Sequence, residues 1–323
     1  MTVNDLSEPT IQDVLEANLR IRNELWPVVP RMSAGLSRIA GRDVWLVPEN
    51  LQRTGSFKFR GALNRMLLHA QSDGSPVVTA SSGNHAIGMT VAAGLTGIEM
   101  VVVVPESVSS AKLGVLEDLG ATCLRLGSGF DDAEDQMYQY AEEHGLTIVN
   151  AFDRDVIAGH GTCALNALKH VPDLDVLVAP VASGGLISGC AIVMNAVNRD
   201  AAVIGVQTSE WPAMKVSLEA GQITSVSGGS TVADGLEGNA TRSGLPFQII
   251  KRHVQRIDLV DEASILRAIQ FGITTERMIL EGAGSVTIAA ILDGIEMPGT
   301  GPIGVVLSGG NAAEKVIRQS LDA

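Results

Sequence analysis

Residues 176–189 read VLVAPVASGGLISG, an unbroken apolar run that passes through small residues into a second apolar stretch. A strand that is apolar at every position, rather than at every second one, has both faces covered, which is the condition of a parallel strand packed between helices. The small residues Ala182 to Gly185 let the chain turn tightly and leave backbone N–H groups free at the start of the next helix. On both sides of this segment, β-branched runs recur between helix-like stretches at 77–79, 100–104, 122–126, 146–149, 203–207 and 303–307. This alternation predicts parallel sheet with crossover helices, an α/β fold. The run EMVVVVPE is bounded by Glu99 and Pro105 at strand length, too short to cross a bilayer. Thr10 with Asp13 predicts a capped helix through roughly Leu25. Asp131, Asp132, Glu134 and Asp135 open another helix, whose acidic face is read as solvated.

The 323 residues set 23 Lys plus Arg against 36 Asp plus Glu, and a net charge of −13 argues against nucleic acid as a partner. With 46% hydrophobic and 18% charged residues, the chain can fill a sizeable core without disulfides or a structural metal. Cys123, Cys163 and Cys190 are widely spaced and make no CxxC pair, which points to a reducing compartment. The N-terminal MTVNDLSEPT has no basic region leading into an apolar core. A cytoplasmic protein without membrane association is expected.

Four stretches offer chemistry. In TGSFKFRGA, residues 54–62, Lys58 lies between Phe57 and Phe59, so desolvation lowers its pKa and makes it a candidate nucleophile for a Schiff base. A lysine that lays its stem across the two rings at a helix start is the plainer reading. In ASSGNHA, residues 80–86, a strand passes into a helix whose free N–H groups, with Ser81, Ser82 and Asn84, suit a carboxylate; an ordinary capped turn is the alternative. Ala182 to Gly189 suits a phosphate, with neither the lysine of a nucleotide-triphosphate loop nor dinucleotide spacing, or else is a tight packing turn. Ser308, after the last strand, can bond a ring nitrogen or cap the helix starting near Asn311. Amine, phosphate cradle, carboxylate turn and hydroxyl are together what pyridoxal phosphate and an amino acid require.

These stretches, with DRDVIAGHGT (153–162), VADGLEGN (232–239), ILEGAG (279–284) and SGGN (308–311), resemble the fold type II pyridoxal-phosphate enzymes in order and spacing. The branch resembled is that of the serine/threonine dehydratases (ammonia-lyases) and serine racemase. The resemblance implies a fold like the tryptophan synthase β chain, two three-layer α/β domains with pyridoxal 5'-phosphate in the cleft between them. The large domain is expected at 1–75 plus 149–323, and a smaller mobile one at 76–148. It further implies that Lys58 carries the cofactor and Phe57 packs near its ring. Asn84 would bond the phenolic oxygen and Ser308 the pyridine nitrogen. Ser183, Gly184, Gly185 and Leu186 would surround the phosphate, and Glu281 would lie near the ring's edge. Ser81, Ser82, Asn84 and His85 would receive the substrate, with Ser82 opposite Lys58.

The activity implied is dehydration and deamination of a β-hydroxy amino acid of the threonine or serine type to a 2-oxo acid and ammonia. A serine-type racemase and a β-replacement synthase are the alternatives, and a cofactor-binding module without turnover is a further one. A homodimer is the expected assembly. The chain also departs from the branch's pattern. Ala182 and Ser183 stand where a tetraglycine loop would have its first two glycines, so a shifted phosphate is expected. Gln207 and Ala213 stand where some members place cation-binding acids, and no metal is assigned. Pro48 precedes Glu49 in place of a lysine, and a regulatory domain after the SGGN segment is not expected.

Overall fold

A computed structural model of the chain describes residues 7–239 and 244–322. The chain first forms α1 (Ile11–Ile21), β1 (Arg31–Met32), α2 (Ala34–Ala40), β2 (Val44–Val47) and α3 (Lys58–Ser72). It then builds β3 (Val77–Ala80), α4 (Asn84–Thr96), β4 (Met100–Val104), α5 (Ser110–Asp118), β5 (Thr122–Arg125), α6 (Phe130–His144) and β6 (Thr147–Ile148). Next come α7 (Arg154–His170), β7 (Val176–Pro180), α8 (Gly185–Val197), β8 (Ala202–Thr208), α9 (Ala213–Ala220) and α10 (Leu245–His253). The last elements are β9 (Arg256–Val260), α11 (Glu262–Phe271), α12 (Gly282–Leu292), β10 (Ile303–Val306) and α13 (Glu314–Leu321).

Two sheets result, β1-β2-β10-β7-β8-β9 and β5-β4-β3-β6, parallel throughout except where β1 meets β2. Side chains alternate across a strand, and this explains the unbroken apolar run of β7. Leu177, Ala179 and Val181 pack with α7, α8 and α10 on one face, while Val176 and Val178 pack with α11 and α12 on the other. The smaller sheet is covered in the same way. Val77, Val102 and Val104 meet α4 and α5, whereas Val78 and Val103 meet Ala133, Met137 and Ala141 of α6. Helix α3 belongs to both bodies: Phe59, Ala62, Leu63 and Met66 join the small sheet's core, and Gly61 crosses α7.

Three details differ from the sequence expectations. The first helix has its capping box, with Thr10 N–H donating to Asp13 Oδ2 at 2.7 Å and Asp13 N–H to Thr10 Oγ1 at 3.3 Å, but it ends at Ile21 rather than near Leu25. Pro27 and Pro30 follow, and the residue before a proline is driven out of helical conformation. The short strands β1, β2 and β9 add to the expected runs: β1 is exposed and β9 alternates charged Arg256 and Asp258 at a sheet edge, whereas β2, VWLV, is an apolar run that the expected set left out. The last helix begins at Glu314, so neither Ser308 nor Asn311 caps it.

The register decides where the site forms. Val305 of β10 lies level with Leu46 of β2 and Val178 of β7, so the loops leaving all three strands emerge together at one edge. Helices α3, α7 and α8 cross at glycines: a methyl on Gly159 would meet Arg60 O at 2.6 Å, and one on Gly189 would meet Gly161 N at 2.5 Å. Gly189→Ala is therefore expected to lower stability by about 1–3 kcal/mol. Gly94→Ala, at a helical site with nothing near its added methyl, should raise it by about 0.5–1 kcal/mol. Urea midpoints of the two variants check the contrast, and equal midpoints would refute the crossing-point argument.

Candidate active site

The loop from Pro48 to Phe57 is stitched to the strand-end segment 307–310. Asn50 N–H donates to Leu307 O (2.9 Å), Phe57 N–H to Ser308 O (3.0 Å) and Gly310 N–H to Gly55 O (2.9 Å). Gly55 sits at φ +73°, a conformation that a side chain disfavours. Beneath the loop, Arg60 binds Glu49 through both forks, Nε to Oε2 at 2.7 Å and Nη2 to Oε1 at 2.8 Å, with its third nitrogen 3.2 Å from Thr162 Oγ1. The two side chains are only 3% and 0% exposed. Burial opposes the Arg60 charge, but the charge and hydrogen bonds of Glu49 hold its pKa above the ordinary value. Breaking one partner of such a buried pair costs about 3–5 kcal/mol.

Lys58 is the first residue of α3, with Nζ 5.1 Å from the centroid of the Phe57 ring. Burial pulls its pKa down to about 8, against the Glu281 carboxylate, which supports the charged form. Only one flanking ring keeps company with the amine. Phe59 is fully buried in the small sheet's core, with the Arg53 guanidinium 5.7 Å from its centroid.

Ser183 to Leu186 form the start of α8. Gly184 is the residue before the first turn, at φ +94°, and among the described residues no side chain caps this helix. A methyl on Gly184 would lie 2.7 Å from Ile250 Cδ1, and one on Gly185 would lie 2.8 Å from Ala151 O. The two places that remain glycine are thus those where a Cβ has no room. Ala182 and Ser183 have no positive φ, so they replace glycine in ordinary backbone and nothing here displaces the cradle. Uncapped N–H groups at a helix start, with the positive end of its dipole, suit a phosphate.

Across the cleft, β3 ends at Ala80 and the half-buried Ser81 and Ser82 lead into α4, which has no side-chain cap among the described residues either. Ser81 Oγ accepts from Gly83 N–H at 3.3 Å. His85 is buried, its two ring nitrogens without a hydrogen-bond partner among the described residues, and burial first, then the Lys58 charge, drive its pKa down to about 3. It is a neutral imidazole. Asn84 reaches the opposite wall, where its Nδ2 donates to Glu281 Oε1 at 2.7 Å. Burial and the charge of Asp234 push Glu281 up to about 7, while Asn84, Lys112 and Lys58 favour its ionised form. Ser308 is buried, its Oγ 3.3 Å from Ala283 O.

The structure brings Phe57, Lys58, Asn84, His85, Glu281 and Ser308 together, and several neighbours join them. His160, fully buried, stands edge-on to Phe57 with ring centroids 4.7 Å apart, and neither ring nitrogen has a hydrogen-bond partner among the described residues. Burial and the Lys58 charge keep it neutral, well below the usual histidine range. Its place in DRDVIAGHGT was the available signal. Asn311 Nδ2 donates to both Thr54 O (2.9 Å) and Asn84 Oδ1 (2.7 Å). Gln207 is engaged within the protein, Oε1 accepting from Lys215 N–H at 2.9 Å and Nε2 donating to Trp211 O at 3.3 Å.

Known proteins are similar to this chain in sequence and fold. The family described as pyridoxal-phosphate dependent enzyme matches residues 27–309. The L-threonine ammonia-lyase of Thermotoga maritima is 37% identical over 305 residues, 94% of this chain and 75% of that one. The serine racemase of Dictyostelium discoideum is 33% identical over 308 residues, 94% of each. Among solved structures, maize serine racemase superposes with a TM-score of 0.90 at 27% identity over 98% of both chains. Since the family match takes in Lys58, the start of α8 and Ser308, the chain belongs to the pyridoxal-phosphate dependent enzymes and has their fold type II architecture.

Proposed function

We propose that this protein is a lyase that converts a β-hydroxy amino acid of the threonine or serine type to a 2-oxo acid and ammonia. The observation that carries the reading is Lys58, an amine brought to about 8 by burial, beside Phe57, whose ring meets His160 next to Gly185 at the start of α8. The names of the relatives, L-threonine ammonia-lyase and serine racemase, support the substrate class.

The residues present fit the cofactor. The uncapped start of α8, walled by residues that leave a Cβ no room, would take its phosphate, and Lys58 its carbonyl carbon. Asn84 would donate to the phenolic oxygen, Ser308 would face the pyridine nitrogen, and Phe57 with Glu281 would flank the ring. When bound, pyridoxal phosphate supplies an electron sink for the substrate's α-carbon. Ser308, a hydroxyl rather than a carboxylate, offers that nitrogen no charge that would keep it protonated.

The chain's own groups do the rest. Ser81, Ser82 and neutral His85, with the free backbone N–H groups at the start of α4, that of Asn84 among them, receive the substrate carboxylate. Lys58 Nζ, displaced by substrate, takes the α-proton. The β-hydroxyl leaves as water by taking up one proton, which balances the α-proton removed, and hydrolysis of the C=N bond of the resulting imino acid gives the 2-oxo acid and ammonia. We assign residues 76–148 to a mobile lobe that closes over this cleft and excludes water, against the body formed by 1–75 and 149–323. Polar contacts across the cleft support that division, among them Lys112 Nζ to Asp234 Oδ2 at 2.9 Å. A second reading, racemisation, is favoured by Ser82 beside α4, where its hydroxyl would return a proton to the α-carbon from the face opposite Lys58. We also propose a cytoplasmic homodimer, supported by three free cysteines and by exposed Trp26, Val29, Met32 and Leu51.

Three outcomes are expected. On adding pyridoxal phosphate to cofactor-stripped protein, the rate at which the visible band grows should titrate with a midpoint near 8. Glu281→Gln should move that midpoint down, because the charge supporting the Lys58 ammonium is gone; a midpoint in the ordinary lysine range refutes the assignment. L-threonine or L-serine should yield 2-oxo acid, and Lys58→Ala should lower the rate by roughly 10²–10⁴-fold or more. No product from threonine, serine, phenylserine or 3-hydroxyaspartate sinks the lyase reading. Ser82→Ala should abolish racemisation of serine while largely sparing elimination, and equal loss of both argues against two opposed proton-transfer groups.

A further inference from the structure

We infer that Asn311 is a positioning residue that sets which end of the Asn84 amide faces the cofactor, taking its own orientation from the main chain of the Lys58 loop. The inference rests on the pyridoxal-phosphate site described above. A side-chain amide has one end that only donates and one that only accepts, so its usefulness depends on which way round it is held. Thr54 O, a backbone carbonyl four residues before Lys58, can only accept. It therefore binds the Nδ2 end of Asn311, at 2.9 Å. The second hydrogen of that nitrogen is directed at Asn84, 2.7 Å away, and the atom that meets it must be the acceptor Oδ1. Asn84 Nδ2 is then turned the other way, where it donates to Glu281 Oε1 at 2.7 Å and keeps a hydrogen for the cofactor's phenolic oxygen.

Glu281 cannot do this orienting itself. Its pKa of about 7 makes it an acceptor when ionised and able to donate when protonated, so near neutral pH it accommodates either end of Asn84. Asn311 is the partner whose polarity is anchored to a group that does not titrate. The surroundings are shaped to hold it: a methyl on Gly55 would come within 3.0 Å of Asn311 Cγ. The arrangement also crosses the cleft. Asn84 opens α4 above the small sheet, whereas Thr54 and Asn311 leave the large one, so the bond forms between the parts proposed to close.

The test uses the holoenzyme and reads the pH dependence of the visible absorption of the Lys58-bound cofactor, with Asn84→Ala, Asn311→Asp, Asn311→Ala and the double variant Asn84→Ala/Asn311→Asp. A hydrogen bond donated to the phenolic oxygen favours its ionised form, so losing it raises the midpoint. Asn84→Ala and Asn311→Asp are each expected to raise it by about one pH unit, the size of one such bond. The carboxylate introduced by Asn311→Asp has no hydrogen to donate, so the Asn84 amide turns its nitrogen toward that new charge. Asn311→Ala should shift the midpoint the same way by less. Asn311 is exposed, and unchanged melting temperatures are expected for its variants. The decisive comparison is the double variant, whose midpoint should match that of Asn84→Ala. A profile like wild type for both Asn311 variants overturns the proposal, as do shifts that add in the double variant, which would show a direct charge effect. If Asn84→Ala itself leaves the midpoint unchanged, the proposal also falls. Absence of any visible band in the wild-type holoenzyme instead overturns the cofactor reading on which it rests.

Discussion

The buried pair of Glu49 and Arg60 holds the end of this molecule that carries Lys58 in place. Glu49 follows β2, Arg60 lies in the first turn of α3, and Thr162 on α7 takes the remaining nitrogen, so one guanidinium fixes three segments around Lys58. A pair with both charges out of water is not an efficient source of stability, since desolvation opposes the attraction. Its geometry is directional, however, and a planar fork bound at both ends leaves the start of α3 little freedom. The glycine crossings of α3, α7 and α8 carry that constraint onward to the start of α8.

Around the cleft, burial moves Lys58, His85 and Glu281 each toward its neutral form. Lys58 falls to about 8, His85 to about 3, and Glu281 rises to about 7. Each shift leaves its mark on stability. The Lys58 value lies below that of the unfolded chain, so the unfolded state binds more protons in the window above 8, and this group's contribution to stability grows as pH rises through it. Glu281 is shifted the other way, so the folded state holds the extra proton between the ordinary carboxylate value of 4.5 and about 7. Its contribution is lost as pH rises through that window. Lys58 and Glu281 are thereby left able to exchange protons near neutral pH, whereas His85 stays neutral there.

Much of the site was legible before the structure. Lys58, the 182–189 turn, the ASSGNHA turn and Ser308 sit at ends of apolar runs, and strand ends are where α/β proteins gather ligands. Phe59 was misleading: it flanks Lys58 in sequence, yet successive residues at a helix start point to different faces, and it fills the small sheet's core. The concern over Ala182 and Ser183 was likewise a matter of φ angles, which residue names do not reveal. His160 and Asn311 gave only a place in a motif, because their significance comes from what lies opposite them, Phe57 and Gly61 for one, Thr54 and Asn84 for the other.

Patterns along the chain were enough to establish the α/β class, the buried parallel strands and the kinship with fold type II pyridoxal-phosphate enzymes, and to single out Lys58 as a desolvated lysine, because apolar periodicity and turn chemistry are properties of neighbouring residues. Four further facts had to await the folded chain: α3 serves both sheets, Glu49 neutralises Arg60, Glu281 titrates near 7, and Asn84 meets Asn311. They depend on groups up to some two hundred residues apart being brought within hydrogen-bond reach and out of water, and no local pattern encodes that distance or that dielectric.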